Sequence, residues 1–307
     1  MGISRVEITD WRVFQDFFAL DFCEGVNVII GENGVGKTTL LRVMYHLESY
    51  NQQRKISASA PSAEHYKKPV DFFMKEEGEN RLTLAFDSEI SRAVYIPEKE
   101  ILEHARGLLT FIEQKPTGFA AIYRDMLVAA QDIPTNNQTE TQRTISEKIC
   151  NIIGGKVEWV ANEGIYYMVK TTGRRIPFAD EASGYRKLGL LELLVSSGQL
   201  PPSTVLLWDE PENSLNPALM SDLADILLEL SRSGVQIFVS THSEILASYF
   251  AVNRQKGDKV QFTVLYKDGD TIKSDTDSRF DLLEPNPLME ESVKQYKKQI
   301  VRGLGNG

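Results

Sequence analysis

The stretch Val26-Asn27-Val28-Ile29-Ile30-Gly31-Glu32-Asn33-Gly34-Val35-Gly36-Lys37-Thr38-Thr39 decides the fold. Its first five residues form a largely β-branched run that reads as a buried strand. Gly31 to Thr38 then satisfies the pattern G-x-x-x-x-G-K-[ST]. From Lys37 to about Ser49, residues Leu40, Leu41, Val43, Met44 and Leu47 recur at helical spacing. Strand, glycine-rich turn and helix is the setting in which this pattern holds phosphate. Glycines let the backbone wrap closely, successive N–H groups point inward, and the helix N-terminus adds positive potential. Lys37 is expected to reach the β- and γ-phosphates and the Thr38 hydroxyl to ligate Mg²⁺. Gly31, Glu32, Asn33, Gly34, Val35, Gly36 and Thr39 complete the expected cradle.

A second apolar run, Val205-Leu206-Leu207-Trp208, ends in Asp209-Glu210. A strand ending in two carboxylates supplies what a Mg-nucleotide site needs beside its phosphate loop. Asp209 is placed to hold the metal through water, and Glu210 to polarise an attacking water. Thr241-His242-Ser243 follows the apolar strand Ile237–Ser240, so His242 is expected at a strand end facing the same crevice. There it could sense the γ-phosphate or align the water. Trp208, inside its strand, reads as core packing rather than an adenine platform.

Working outward, Ile3–Thr9 alternates apolar and polar residues as a half-buried strand does, and Phe17–Phe22 suggests a second. Asn51–Pro69 is polar and reads as a loop or insert. Arg81–Phe86 and Ala93–Ile96 read as strands, Glu98–Cys150 as mostly helical with a break at Gln131–Gln142. Val157–Ala161 and Ile165–Lys170 read as a hairpin. From Ser183 a leucine-rich helix runs to Ser196-Ser197-Gly198, then the Thr204–Trp208 strand. A further helix has Asn216 as cap, Pro217 in its first turn and a stop near Gly234, before the Val235–Ser240 strand. The last forty or so residues are mixed, and their terminal glycines suggest a loose tail.

At 307 residues, 42% of them hydrophobic and 25% charged, the chain has the profile of one large globular domain, or one domain with an insertion. No apolar run approaches a membrane span, and the N-terminus lacks the long apolar region of a signal peptide. Cys23 and Cys150 are too few for a disulfide framework and suggest thiols in a reducing cytoplasm. A net charge of -9 argues against a generally basic nucleic-acid coat. The basic groups Lys67-Lys68, Arg174-Arg175, Arg186-Lys187 and Lys294/Lys297/Lys298 read as solvated surface. His46, His65 and His104 lack ligand-spaced partners, so no zinc site is expected, and no constellation supports a serine or cysteine hydrolase.

The phosphate loop, Asp209-Glu210-Pro211-Glu212, Ser214-Leu215-Asn216-Pro217 and Ser240-Thr241-His242 resemble the Walker A, Walker B, D-loop and His-switch of ABC ATPases. Ile8-Thr9-Asp10-Trp11-Arg12-Val13-Phe14 and Val28–Gly34 are more similar to the SMC/RecF-type branch than to transporter subunits. Within it, the short stand-alone ATPases of bacterial mobile-element and phage-defence operons are the nearest likeness. The similarity covers roughly residues 1–50 and 175–250. It implies an α/β P-loop fold with a mostly parallel central sheet, an antiparallel β layer and an inserted helical lobe. The expected division is 1–50 and 181–307 as nucleotide-binding core and 51–180 as the inserted helical/β lobe.

The resemblance also implies a signature segment, and Ala182-Ser183-Gly184-Tyr185-Arg186-Lys187 sits where it belongs, with Tyr185-Arg186 replacing the family's glycine and glutamine. In the family, Ser183 and Gly184 would cap the γ-phosphate bound by a second copy. Arg12 resembles an N-terminal arginine that reaches the nucleotide; a surface arginine is the other reading. Tyr95-Ile96-Pro97-Glu98-Lys99-Glu100 is the candidate link from nucleotide to lobe. The resemblance thus implies a cytoplasmic Mg-ATP-dependent ATPase, homodimeric through composite sites, with a partner protein. Two alternatives stand beside it: an ATP-held scaffold restraining a toxin or nuclease, and a DNA-end-binding enzyme with a local basic groove.

Overall fold

In the computed structural model, the residues described are 2–46, 70–74, 80–86, 90–99, 102, 107–108, 121–131 and 138–304. The loop read at Asn51–Pro69, with His65 and Lys67-Lys68, lies outside them, as do Glu100 and His104.

Strands without a polar face need cover on both sides, and the three strands that read as apolar runs receive it. Every residue of β3 (Val26–Gly31), β10 (Thr204–Asp209) and β11 (Gln236–Ser240) is buried. They lie inside a six-stranded sheet of order β13-β12-β3-β11-β10-β6, with β6 at Arg92–Ile96, β12 at Val260–Asp268 and β13 at Thr271–Asp277. All its pairings are parallel except β12 with β13. The mixed C-terminal reading therefore resolves into a strand beside the phosphate-loop strand and an antiparallel edge.

Successive side chains of a strand point to opposite faces, and each central strand feeds two cores. Val28, Ile30, Leu206, Trp208, Val94 and Ile96 enter one core. Ile29, Leu207, Val205, Phe238 and Tyr95 enter the other. The first is covered by α2 (Ala121–Ala130), α3 (Glu140–Ile153), α4 (Ser183–Ser196), α5 (Met220–Arg232) and α6 (Glu244–Asn253). The second is covered by α1 (37–46) and an antiparallel sheet of order β2-β1-β5-β4. That sheet comprises β1 (Ile3–Thr9), β2 (Phe18–Asp21), β4 (Val70–Met74) and β5 (Asn80–Phe86). The Gln236 amide ties the layers together: it accepts from the Ile3 N–H at 2.8 Å and donates to the Ile3 and Cys23 carbonyls at 2.8 Å each. Trp208 is fully buried, as its core reading requires.

The interval 51–180 contributes to both core sheets: β4 and β5 complete the N-terminal layer, and β6 is the edge strand beside β10. Its later part carries α2, α3 and a three-stranded antiparallel sheet of β7 (Gly155–Val160), β8 (Ile165–Lys170) and β9 (Arg175–Pro177). Thr139 and Gln142 form a reciprocal capping box on α3, and Gly154, at φ 68°, ends it. No helix among the described residues is long and apolar enough to cross a membrane.

Where α3 meets α4, Glu192 is buried and accepts a 2.9 Å hydrogen bond from Ser146. Burial pushes its carboxyl above the ordinary range. A folded-state pKa above the unfolded value stabilises below the unfolded pKa, and that contribution is lost as pH rises through the folded one. Glu192→Gln is therefore expected to raise the melting temperature at pH 7.5 by about 2 °C. The gain should vanish near pH 4. Thermal scans at both pH values check the sign.

Candidate nucleotide site

The phosphate loop leaves β3 through Gly31 and enters α1 at Lys37. Gly36 sits at φ 98°, and a Cβ there would lie 2.7 Å from Val13 Cγ2 and 3.0 Å from Phe14 Cζ. Only glycine suits a left-handed backbone in so close an approach. The turn Trp11–Phe14, closed by main-chain hydrogen bonds of 2.7 and 2.9 Å, thus packs on the loop. It brings Arg12, exposed and at φ 54°, to the edge of the site. Val35 anchors the loop in the core, while Glu32, Asn33 and Gly34 are exposed, and Thr38 and Thr39 are half-buried.

Lys37 is 5% exposed, and its ammonium donates to the carbonyls of Gly31 at 2.8 Å and Glu32 at 3.1 Å. Burial pushes its pKa down, against the pull of Glu210, Asp209 and Glu212. Among the described residues it forms no ion pair. A buried cation satisfied only by neutral carbonyls has its full charge available to an anion.

Residue parity on the central strands builds the metal corner. Asp209 shares its strand face with Val205 and Leu207, the side on which α1 lies. Its Oδ1 accepts from Thr38 Oγ1 at 3.1 Å and from the Ser240 hydroxyl, and its Oδ2 accepts from Tyr95 OH at 3.1 Å. Burial and the adjacent Asp209 charge hold the Tyr95 phenol well above its ordinary pKa, so it remains a donor. A half-buried hydroxyl beside a buried carboxylate at the mouth of a phosphate loop fits a Mg²⁺ that also contacts phosphate oxygens.

The strand β10 ends in strain. Glu210 adopts φ 47°, a costly conformation for a non-glycine residue. Its N–H is held by the Ser240 carbonyl at 3.0 Å and its C=O by Lys187 Nζ at 2.9 Å. Its carboxylate accepts from Asn213 Nδ2 at 2.7 Å and lies 3.4 Å from His242 Nδ1. Asn213 also donates to Glu98 at 3.1 Å, joining the Tyr95–Lys99 segment to the Glu210 carboxylate. Glu212, 6% exposed, fixes the histidine turn: it accepts from Thr241 Oγ1 at 2.6 Å and from the His242 N–H at 2.9 Å. The Thr241 N–H reaches the Ile29 carbonyl at 2.9 Å, bringing His242 to the end of the phosphate-loop strand.

Lys187 corrects the surface reading of Arg186-Lys187. It is 5% exposed, turned inward from α4 by its bond to Glu210, and burial lowers its pKa against the charges of Glu212 and Glu98. A short charge pair carries no periodic signal for one member facing in. The inward register of Leu188 and Leu191 on the same helix was the available hint.

Ser183 and Gly184 begin α4. They are not hydrogen-bonded to the phosphate loop of their own chain among the described residues. Gly184 instead packs on the turn that follows β10, where an added Cβ would meet the Ser214 carbonyl at 3.0 Å. Tyr185 packs into the core with Lys170 Nζ 5.5 Å from its ring, and Arg186 donates to the Ala179 carbonyl at 2.8 Å. The two departures from the signature thus bind within their own chain and leave Ser183-Gly184 at the helix start.

Two family models match the chain. One described as "AAA ATPase domain" matches residues 1–92, and one described as "AAA domain, putative AbiEii toxin, Type IV TA system" matches residues 122–248. Together they bracket the phosphate loop and the Asp209–His242 constellation. No curated protein matches. Among solved structures, the SmcHead bound to the C-winged helix domain of ScpA aligns at 13% identity and a TM-score of 0.55, covering 90% of this chain and 97% of that one. An Smc head domain with an extended coiled coil, bound to the C-terminal domain of ScpA derived from Pyrococcus furiosus, aligns at 11% identity and a TM-score of 0.53, covering 97% and 99%. At such identities the likeness is one of fold. Fold and site define a P-loop NTPase fold with a mostly parallel central sheet. Each family model covers less than half of the chain, and in fold the chain resembles the heads of SMC proteins.

Proposed function

We propose that the protein binds and hydrolyses Mg-ATP between two copies of itself and uses the resulting closure to drive or regulate a partner. The observation that carries this reading is the convergence of Thr38 on Asp209 beside the unpaired Lys37, with Glu210 and His242 at the next two strand ends. Lys37 and the loop amides of residues 31–39 would hold the β- and γ-phosphates, with Arg12 at the edge. Thr38 and Asp209 would hold Mg²⁺, which when bound neutralises phosphate charge and orients its oxygens. Glu210 is the general base for the attacking water, and His242 orients that water and the Glu210 carboxylate. Ser183 and Gly184, not hydrogen-bonded to their own loop among the described residues, would meet the triphosphate held by the second copy. The resemblance to ATPases built on such composite sites supports that arrangement, as does an α4 N-terminus with no side-chain cap.

Lys187 is a positioning residue in this scheme. It joins α4 to the peptide of Glu210, so whatever Ser183 meets can bear on the base. Lys187→Met is expected to lower turnover about tenfold through misplacement of Glu210. ATP affinity should stay unchanged, and Lys187→Arg should recover part of the rate. Loss of affinity in step with rate would assign it a merely structural role.

Multiple-turnover ATPase activity of the purified protein tests the main reading; binding without turnover counts against it. A second reading is an ATP-held scaffold that restrains a toxin or nuclease, acting in phage defence. The altered Tyr185-Arg186 signature favours slow turnover, and one matching family carries a toxin description. DNA-stimulated turnover, lost at higher salt, would instead place the substrate among nucleic acids.

A further inference from the structure

Exposed large apolar side chains concentrate in the last quarter of the described chain. Ile245 and Val252 share the outer face of α6, Leu282 follows β13, and Val293, Tyr296 and Ile300 lie on α7 (Pro287–Leu304). The first turns of α7 are seated: Leu288 and Met289 pack on the core, and Ser292 bonds to Glu244 on α6. From Val293 to Arg302 every residue is exposed. Met289, Val293, Tyr296 and Ile300 continue one stripe at the 4-3-4 spacing of a helix packed on another element. Such a helix cannot owe its order to its own core beyond Ser292.

The groove beside it names the occupant. It holds about 1030 Å³ between α7 and the 281–286 turn. The acidic residues Asp281, Glu284 and Glu290 gather at the start of α7 and the turn before it, and Lys294, Lys297 and Arg302 follow further along the helix. Lys297 and Arg302 make no ion pair among the described residues. A twofold axis that runs two α7 helices antiparallel sets the acidic start of one against the basic end of the other, whereas a parallel pair would set like charges together. The face is thus complementary to itself.

We infer that α7 and the adjoining α6 face form a second self-association surface, independent of nucleotide, on which the α7 stripe of each copy covers the Ile245–Val252 face of the other. It lies outside the composite ATP site, so nucleotide-driven dimers would join through it into larger assemblies.

Sedimentation of the Lys37→Ala protein without nucleotide tests this separately from the ATPase reading. Dimers are expected at micromolar concentration, weakening as salt rises. Tyr296→Asp/Ile300→Asp should weaken them about 100-fold without lowering the melting temperature, because both side chains are exposed. Lys297→Glu/Lys298→Glu should also dissociate them, and adding Glu284→Lys/Glu290→Lys should restore them. Monomers at every concentration would overturn the inference and leave the face to a different partner. So would dimers indifferent to the α7 substitutions.

Discussion

Glu210→Gln is expected to bind ATP with undiminished affinity yet turn over about 1000-fold more slowly, and to accumulate as a nucleotide-bound dimer. Glutamine keeps the size of the side chain and an oxygen for Asn213, which donates to Glu210 at 2.7 Å. The strained backbone is held independently of the side chain, by Ser240 at the N–H and Lys187 at the C=O. What is lost is the proton acceptor. In the proposed scheme closure needs only bound triphosphate, so the dimer should persist until hydrolysis that no longer comes. Single-turnover hydrolysis beside sedimentation with ATP reads both effects. A variant hydrolysing at the wild-type rate would remove Glu210 from the mechanism and shift attention to Glu212.

Lys37→Ala is expected to weaken ATP binding by about 100-fold, the loss of two charge-assisted hydrogen bonds. The loop itself should survive. It is held by the packing of Val35 and by the seating of Gly36 against Val13 and Phe14. Removing a buried cation whose partners are two carbonyls should leave the melting temperature near the wild-type value, or raise it. Titration with a fluorescent ATP analogue, alongside a thermal scan, separates lost binding from lost folding. Tight binding by a folded Lys37→Ala protein would falsify the phosphate-loop reading.

The parts legible in the sequence were those whose chemistry is local. A phosphate loop is one continuous backbone path, so Gly31–Thr38 announces itself by spacing. Asp209-Glu210 and His242 each end an apolar run, and placing those runs side by side in a parallel sheet predicts their convergence. The buried Trp208 follows from the same reasoning.

Contacts made by residues without local pattern were not legible. Lys187 looks like half of a surface charge pair, and only the turn of α4 against β10 shows that it faces the Glu210 peptide. Tyr95 is one aromatic residue in an edge strand, and its bond to Asp209 depends on β6 pairing with β10 in one register. Glu212 reads as a second acid after a proline, and its grip on Thr241 and His242 needs the neighbouring strand to end at the same level. The pairing of β5 with β1, and of β4 with β5, lies across residues 51–69, where composition indicates only a polar insert. The role of Arg12 had two readings. The packing of its turn on Gly36 supports the one at the site's edge.

The most direct measurement is a structure of the Glu210→Gln protein with Mg-ATP. The account predicts a triphosphate within hydrogen-bond reach of Lys37 and the amides of residues 34–38, with Mg²⁺ between Thr38 and Asp209 and the α4 start of a second copy against the γ-phosphate. Nucleotide bound elsewhere, or a metal distant from Asp209, would contradict it.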